Sequence, residues 1–177
     1  YPQASSDAFI INIVTTKAEL HKTLDILNQI VNHASFNNEE IERIRAYREW
    51  MEFVEMDILS ARYLMEAPFH PRPLAVICYH AQQAAEKAVK ALIVYYGSQG
   101  GVPKVHDISF LLDQVKNIIQ TQHGEAIRKS MWKAAEELSV YASEPRYPGE
   151  LNITESDAKA ALRQAQEIVD WAKNVAG

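Results

Sequence analysis

Apolar residues recur along this chain at intervals of three and four, the spacing of helices that bury one face. Ile41, Ile44, Tyr47, Met51, Val54, Ile58 and Ala61 form the longest such stripe, which stops where prolines stand at 68, 71 and 73. Proline lacks an amide hydrogen and clashes with the preceding turn, so no helix runs through that segment. Asn37 or Asn38 is placed to cap this helix, with Glu39 and Glu40 favourable against its dipole. A further helix is predicted from about Leu74 to Tyr96, with Pro73 as its first residue and Gly97 as its stop. Alanines at 75, 81, 84, 85, 88 and 91 let neighbours approach closely, so this helix is expected at the centre.

Downstream, Asp107 is a natural cap for a helix carrying Ile108, Leu111, Leu112 and Val115. Another helix is predicted from about Glu125 to Tyr141, with Ile127, Trp132, Ala135 and Leu138 on its apolar face. A last one starts with Thr154-Glu155-Ser156-Asp157 and carries Ala158, Ala161, Leu162, Ala165, Ile168, Val169 and Trp171. The N-terminal region differs. Residues 8–14 form a β-branched run that reads as a strand, although a buried helical segment of that length looks the same. Thr16 and Glu19 fit a capping box, and Leu20, Leu24, Leu27, Ile30 and Val31 then keep helical spacing to about His33. The pattern is all-α apart from that run, without internal repeats or sustained heptads.

Composition narrows the classes. The chain has 177 residues and is 47% hydrophobic, enough to bury a core without disulfides or metals. Its one cysteine, Cys78, rules out an intramolecular disulfide, so a reducing cytoplasm is the expected setting. No apolar run is long enough to span a bilayer, and no membrane partner is expected. The net charge of −5 disfavours broad coating of nucleic acid, which needs a basic excess to displace counterions. A local basic pocket remains compatible with that charge. The chain begins with Tyr1 rather than methionine, which fits a fragment or processed form of something longer.

The segment Cys78-Tyr79-His80-Ala81-Gln82-Gln83-Ala84-Ala85-Glu86-Lys87-Ala88-Val89-Lys90-Ala91-Leu92 resembles the signature helix of the HEPN domain family. Trp50 with Met56-Asp57-Ile58-Leu59-Ser60-Ala61 resembles the family's first helix, Lys104-Val105-His106-Asp107-Ile108 its His-Asp-Leu helix start, and Arg146-Tyr147-Pro148 its Arg-Tyr-Pro turn. The motifs fall in order over roughly residues 47–175. The resemblance implies an antiparallel up-and-down bundle of about five helices, here spanning 37–177 and often paired as a homodimer. Residues 1–36 lie outside it, as a strand-plus-helix appendage that suits the end of an upstream domain. It further implies a nucleotide- or RNA-associated binding module, commonly beside or fused to a nucleotidyltransferase. Some members are toxin ribonucleases, and others are interaction domains without a ligand.

Gln83, Lys87 and Lys90 lie three and four residues apart on one face, where they can line a polar groove for a phosphate or a base edge. The same spacing also fits a solvated face with a Glu86–Lys90 pair. His106, just before the cap, can contact a nucleotide or carry a proton, or merely anchor the loop. Arg146 offers a planar fork to phosphate and Tyr147 a ring to a base; both also suit a rigid turn. These six residues are the candidate nucleotide site. His80 reads as a partly buried structural histidine or a dimer contact. A homodimer is expected through Val89, Ile93 and Tyr96, on the side of the alanine-rich helix away from its small residues.

Ribonuclease members carry an arginine, four to six residues, then a histidine. Here Arg62 to His70 and Arg72 to His80 each enclose seven, and Arg146 has no histidine after it. Catalysis by that route is therefore not expected. There is no glycine-rich phosphate loop, no His-Glu-x-x-His and no cysteine cluster, so neither a metal nor a cofactor is expected.

Overall fold

The computed structural model describes residues 15–33, 38–68, 70–97, 101–124, 126–142 and 152–177. The run at 8–14 lies outside the described residues. The chain divides into two compact units, 1–37 and 38–177. In the first, helix α1 spans Leu20–His33. The box expected at Thr16 and Glu19 does not form there. Instead the Glu19 amide donates to the Thr16 carbonyl at 3.0 Å in a turn, and the Glu19 carbonyl accepts from Thr23 at 3.0 Å, so the cap position falls on Glu19.

The second unit is a helical bundle: α2 (Asn38–Glu66), α3 (Leu74–Tyr95), α4 (Ile108–His123), α5 (Lys129–Ser139) and α6 (Glu155–Ala176), with a 3-10 turn at Val140–Ala142. No strand occurs among the described residues. None of their helices is long and apolar enough to cross a membrane.

Helix α3 is the centre. It packs most extensively against α2 and α6, and also touches α4, α5 and the 3-10 turn. Ala81, Ala84, Ala85, Ala88 and Ala91 are fully buried, and their small side chains are what permit three-sided packing. Met51, Val54, Ile58 and Ala61 of α2 and Ala158, Ala161, Ala165, Ile168 and Val169 of α6 close the core from either side.

Local chemistry sets most helix ends. The Asp107 carboxylate accepts from the Phe110 amide at 3.1 Å and starts α4. Thr154 starts α6 by a capping box: its hydroxyl accepts from the Asp157 amide, and the Asp157 carboxylate accepts from the Thr154 amide at 2.8 Å. Gly97 follows α3 with φ +68°, a conformation that disfavours any residue with a Cβ, and the Arg43 side chain packs over its bare Cα. Two boundaries differ from expectation. Pro73 caps α3 rather than opening it. Helix α5 begins at Lys129, not near Glu125, because Arg128 is extended at ψ 146°, and its last residues tighten into the 3-10 turn.

Cys78 is fully buried in α3. Burial pushes its thiol up to about 11, with the Asp157 charge adding to the effect and a hydrogen bond with Tyr141 opposing it. Burial and the neighbouring thiol likewise push the Tyr141 hydroxyl up to about 12. Such a thiol is inert as a nucleophile.

Candidate functional site

The polar residues of α3 occupy the half of its circumference away from the alanines and form two clusters. In the first, Asp57 of α2 is only 8% exposed and accepts from His80 Nδ1 at 2.8 Å and from Lys87 Nζ at 2.5 Å. A carboxylate only accepts, so Nδ1 of His80 carries the hydrogen. The Lys87 ammonium also lies 5.9 Å from the centre of the Phe53 ring, within range of a cation–π attraction. Glu49, Trp50, Phe53 and Lys87 line a hollow of about 300 Å³.

The second cluster centres on Glu86, which is 3% exposed. Its carboxylate accepts from Gln82 Nε2 at 2.8 Å, Lys90 Nζ at 2.7 Å and His106 Nδ1 at 3.1 Å. Gln82 Nε2 also reaches the His106 carbonyl at 3.3 Å, which ties the loop before α4 to the central helix. The His106 side chain is 60% exposed although its anchor is buried. By the acceptor argument used for His80, Nδ1 donates to Glu86, and Nε2 sits on the far edge of the ring. The result is an accessible imidazole of fixed tautomer and orientation, which can accept from a hydroxyl or amide when neutral and donate to an anion when protonated.

The expected groove of Gln83, Lys87 and Lys90 is split by this arrangement. Lys87 turns to Asp57 on α2, whereas Lys90 is only 7% exposed and pairs with Glu86. The Glu86–Lys90 pair exists as the spacing predicts, but it is buried rather than solvated, because the loop carrying His106 lies against it. Gln83 is half-buried and donates to Gln82 Oε1 at 2.7 Å, joining the second cluster. Arg146 and Tyr147 lie outside the described residues.

The pairing face expected at Val89, Ile93 and Tyr96 is also corrected. Val89 and Ile93 are buried within the bundle, and the Tyr96 hydroxyl donates to the Val175 carbonyl of α6 at 3.0 Å. The exposed apolar face lies instead on α2, where Phe53, Met56, Leu59 and Tyr63 each expose more than half of their surface.

Asp57, Gln82 and Glu86 escape a reading that looks for exposed ligand residues. The signal for Asp57 is present in the stripe itself: a carboxylate beside Ile58, between the core residues Val54 and Ala61, needs buried donors. No three His, Cys, Asp or Glu among the described residues are grouped to hold a metal ion.

The HEPN domain family model matches residues 47–175. No curated protein matches the chain. Among solved structures, the crystal structure of an archaeal HEPN homologue is 25% identical with a TM-score of 0.56, covering 74% of this chain and 98% of its own. The crystal structure of a protein from Thermus thermophilus is 25% identical with a TM-score of 0.59, covering 73% of this chain and 97% of its own.

Proposed function

This chain belongs to the HEPN domain family, and on that premise we propose that its bundle is a nucleotide- or RNA-associated binding module with His106 as the contact residue. The observation that carries the reading is the exposed imidazole anchored through Nδ1 to a carboxylate that Lys90 and Gln82 hold in place. A solvated surface histidine needs no buried carboxylate behind it. One so held presents Nε2 with its ring already ordered, which favours a specific contact. Gln83 braces Gln82 from the next position, and Lys87 stands on the α2 side with its charge paired to Asp57.

The test is a calorimetric titration of ATP and of a short single-stranded RNA into wild type and His106→Ala. The expected result is measurable affinity for one of the two ligands, falling at least tenfold in the variant while its melting temperature stays put. No binding of either ligand by wild type, or equal binding by both proteins, leaves the ligand-free interaction domain as the better reading. The same samples, incubated with RNA, check for the ribonuclease reading by cleavage.

We further propose that the module acts as a homodimer, and that the α2 face of Phe53, Met56, Leu59 and Tyr63 is its pairing surface. Four large apolar side chains on one stretch of helix exceed what a lone soluble surface usually shows. Pairing there would bring the Lys87 hollow beside the interface. Molar mass at micromolar concentration is the measurement: a dimer for wild type that becomes a monomer in Leu59→Glu supports the proposal, and a wild-type monomer ends it. Partnership with a nucleotidyltransferase-type protein rests on family membership alone and is tested by co-purification of the two.

A further inference from the structure

A groove of about 670 Å³ runs along α6, with α2 on one wall and the start of α5 on the other. Its floor is apolar, made by Leu162 and Trp171 of α6 and Met131 of α5. Four cations surround that floor from three helices: Arg62 from α2, Arg128 from the start of α5, and Lys159 and Arg163 from α6. This concentration stands out on a chain whose net charge is −5. It shares no residue with the His106 cluster.

Among the described residues, internal ion pairing occupies only one of the four cations. Lys159 pairs with Glu155 at 2.8 Å, and Arg62 donates to Gln166 Oε1 at 2.6 Å, a neutral partner. Arg128 and Arg163 have no carboxylate partner among the described residues. Gln166 in turn donates to Asp170 at 2.7 Å, so the amide holds Arg62 at the wall and occupies the Asp170 carboxylate.

We propose that this groove docks an acidic amphipathic helix of a protein partner. Helix-in-groove recognition lays an apolar stripe on an apolar floor and leaves charged flanks to meet charges on the walls. Here the floor presents a leucine and an indole, backed by the buried Met131 thioether, side chains that fill irregular contacts with apolar anchors. Arginines on opposite walls complement carboxylates on both flanks of such a helix, and arginine is suited to them by its two parallel donors. The groove lining runs along α6 from Lys159 to Asn174, about 22 Å at 1.5 Å per residue and room for four turns of a partner helix, with the apolar floor from Leu162 to Trp171 over the middle ~13 Å. A phosphate backbone fits less well, because it carries no continuous apolar stripe to lay on the floor of Leu162 and Trp171.

The experiment uses the full chain and a fluorescent, acetylated and amidated peptide of about four turns. The peptide carries leucine at every third or fourth position and glutamate on both flanks. A control peptide replaces every glutamate by lysine, and a single-stranded RNA of matched length is the third probe. The expected result is micromolar binding of the glutamate peptide that weakens at least tenfold for the control, and at least tenfold in Arg128→Glu/Arg163→Glu. Both substituted side chains are exposed, so the double variant should keep its melting temperature; Trp171→Phe, which keeps an apolar floor, should weaken binding only a few-fold. His106→Ala should bind the peptide as wild type does, which separates this site from the proposed nucleotide contact. Absence of peptide binding below millimolar concentration, equal binding of both peptides, or RNA binding that the arginine variant abolishes while the peptide does not bind would each overturn the proposal.

Discussion

Replacing Lys90 by methionine tests the buried character of the Glu86 cluster. Methionine keeps length and flexibility but removes the ammonium 2.7 Å from the Glu86 carboxylate. The side chains of Lys90 and Glu86 are 9% and 4% exposed, so water does not replace the lost partner. Removing one member of a buried ion pair costs about 3–5 kcal/mol. Glu86 retains Gln82 at 2.8 Å and His106 at 3.1 Å, which places the expected loss near the lower end, about 3 kcal/mol. With a urea slope of about 2 kcal/mol per molar, the unfolding midpoint should fall by about 1.5 M. The companion variant, Lys90→Met/Glu86→Leu, removes both charges and leaves Gln82 its contact with the His106 carbonyl, so it should recover most of that stability. A single variant that loses less than about 1 kcal/mol, the scale of exposed pairs, would refute the buried-pair reasoning. So would a double variant no more stable than the single one.

Further outcomes are expected at Gly97, Thr154 and Cys78. Gly97→Ala should destabilise the bundle by about 1 kcal/mol or more, because alanine is strained at φ +68° and its Cβ meets the Arg43 side chain; thermal melting checks it. Thr154→Ala should cost about 1 kcal/mol by removing the cap of α6. The Asp157 carboxyl, held below its usual range mainly by hydrogen bonds from Thr154, contributes stability that is full above the ordinary carboxylate range and lost as pH falls through its lowered value. That acid-side loss should shrink in Thr154→Ala. Raised values for Cys78 and Tyr141 act in the opposite range: stability is full below about pH 9, where both unfolded groups are still protonated, and declines as pH rises toward about 11 for the thiol and about 12 for the phenol. Cys78→Ala should flatten the thiol's part of that decline in melting temperature against pH, and wild-type Cys78 should react with a thiol reagent only on unfolding.

Features set by local chemistry are legible in the sequence. Asp107 and Thr154 start their helices because a side-chain acceptor three residues ahead of an orphan amide suffices. Alanine spacing placed α3 at the centre because backbone approach depends only on side-chain size. Lys90 was misplaced for a different reason. Its spacing is correct for a pair with Glu86, but burial is set by the loop at His106, which returns to α3 from beyond Gly97. Asp57 likewise draws donors from His80 and Lys87, 23 and 30 residues away. The cationic groove requires Arg62, Arg128 and Arg163 to meet from three helices, and no window along the chain contains all three.

The alanine face of α3 has a consequence for uniqueness. Small residues at 81, 84, 85, 88 and 91 present nearly the same surface after a shift of one helical turn, so apolar packing alone discriminates poorly among sliding registers. Polar contacts do discriminate: moving α3 by about 5.4 Å along its axis would separate Lys87 and His80 from Asp57, and Glu86 from His106, leaving buried charges without partners. The two clusters therefore act as pins that select one alignment of the central helix. On this reasoning, the Asp57→Leu/His80→Leu/Lys87→Met/Glu86→Leu/Lys90→Met variant, which removes both pins, would stay helical and yet lose dispersion in its methyl NMR spectrum. A spectrum as sharp as that of wild type would show that the alanine face selects its alignment unaided.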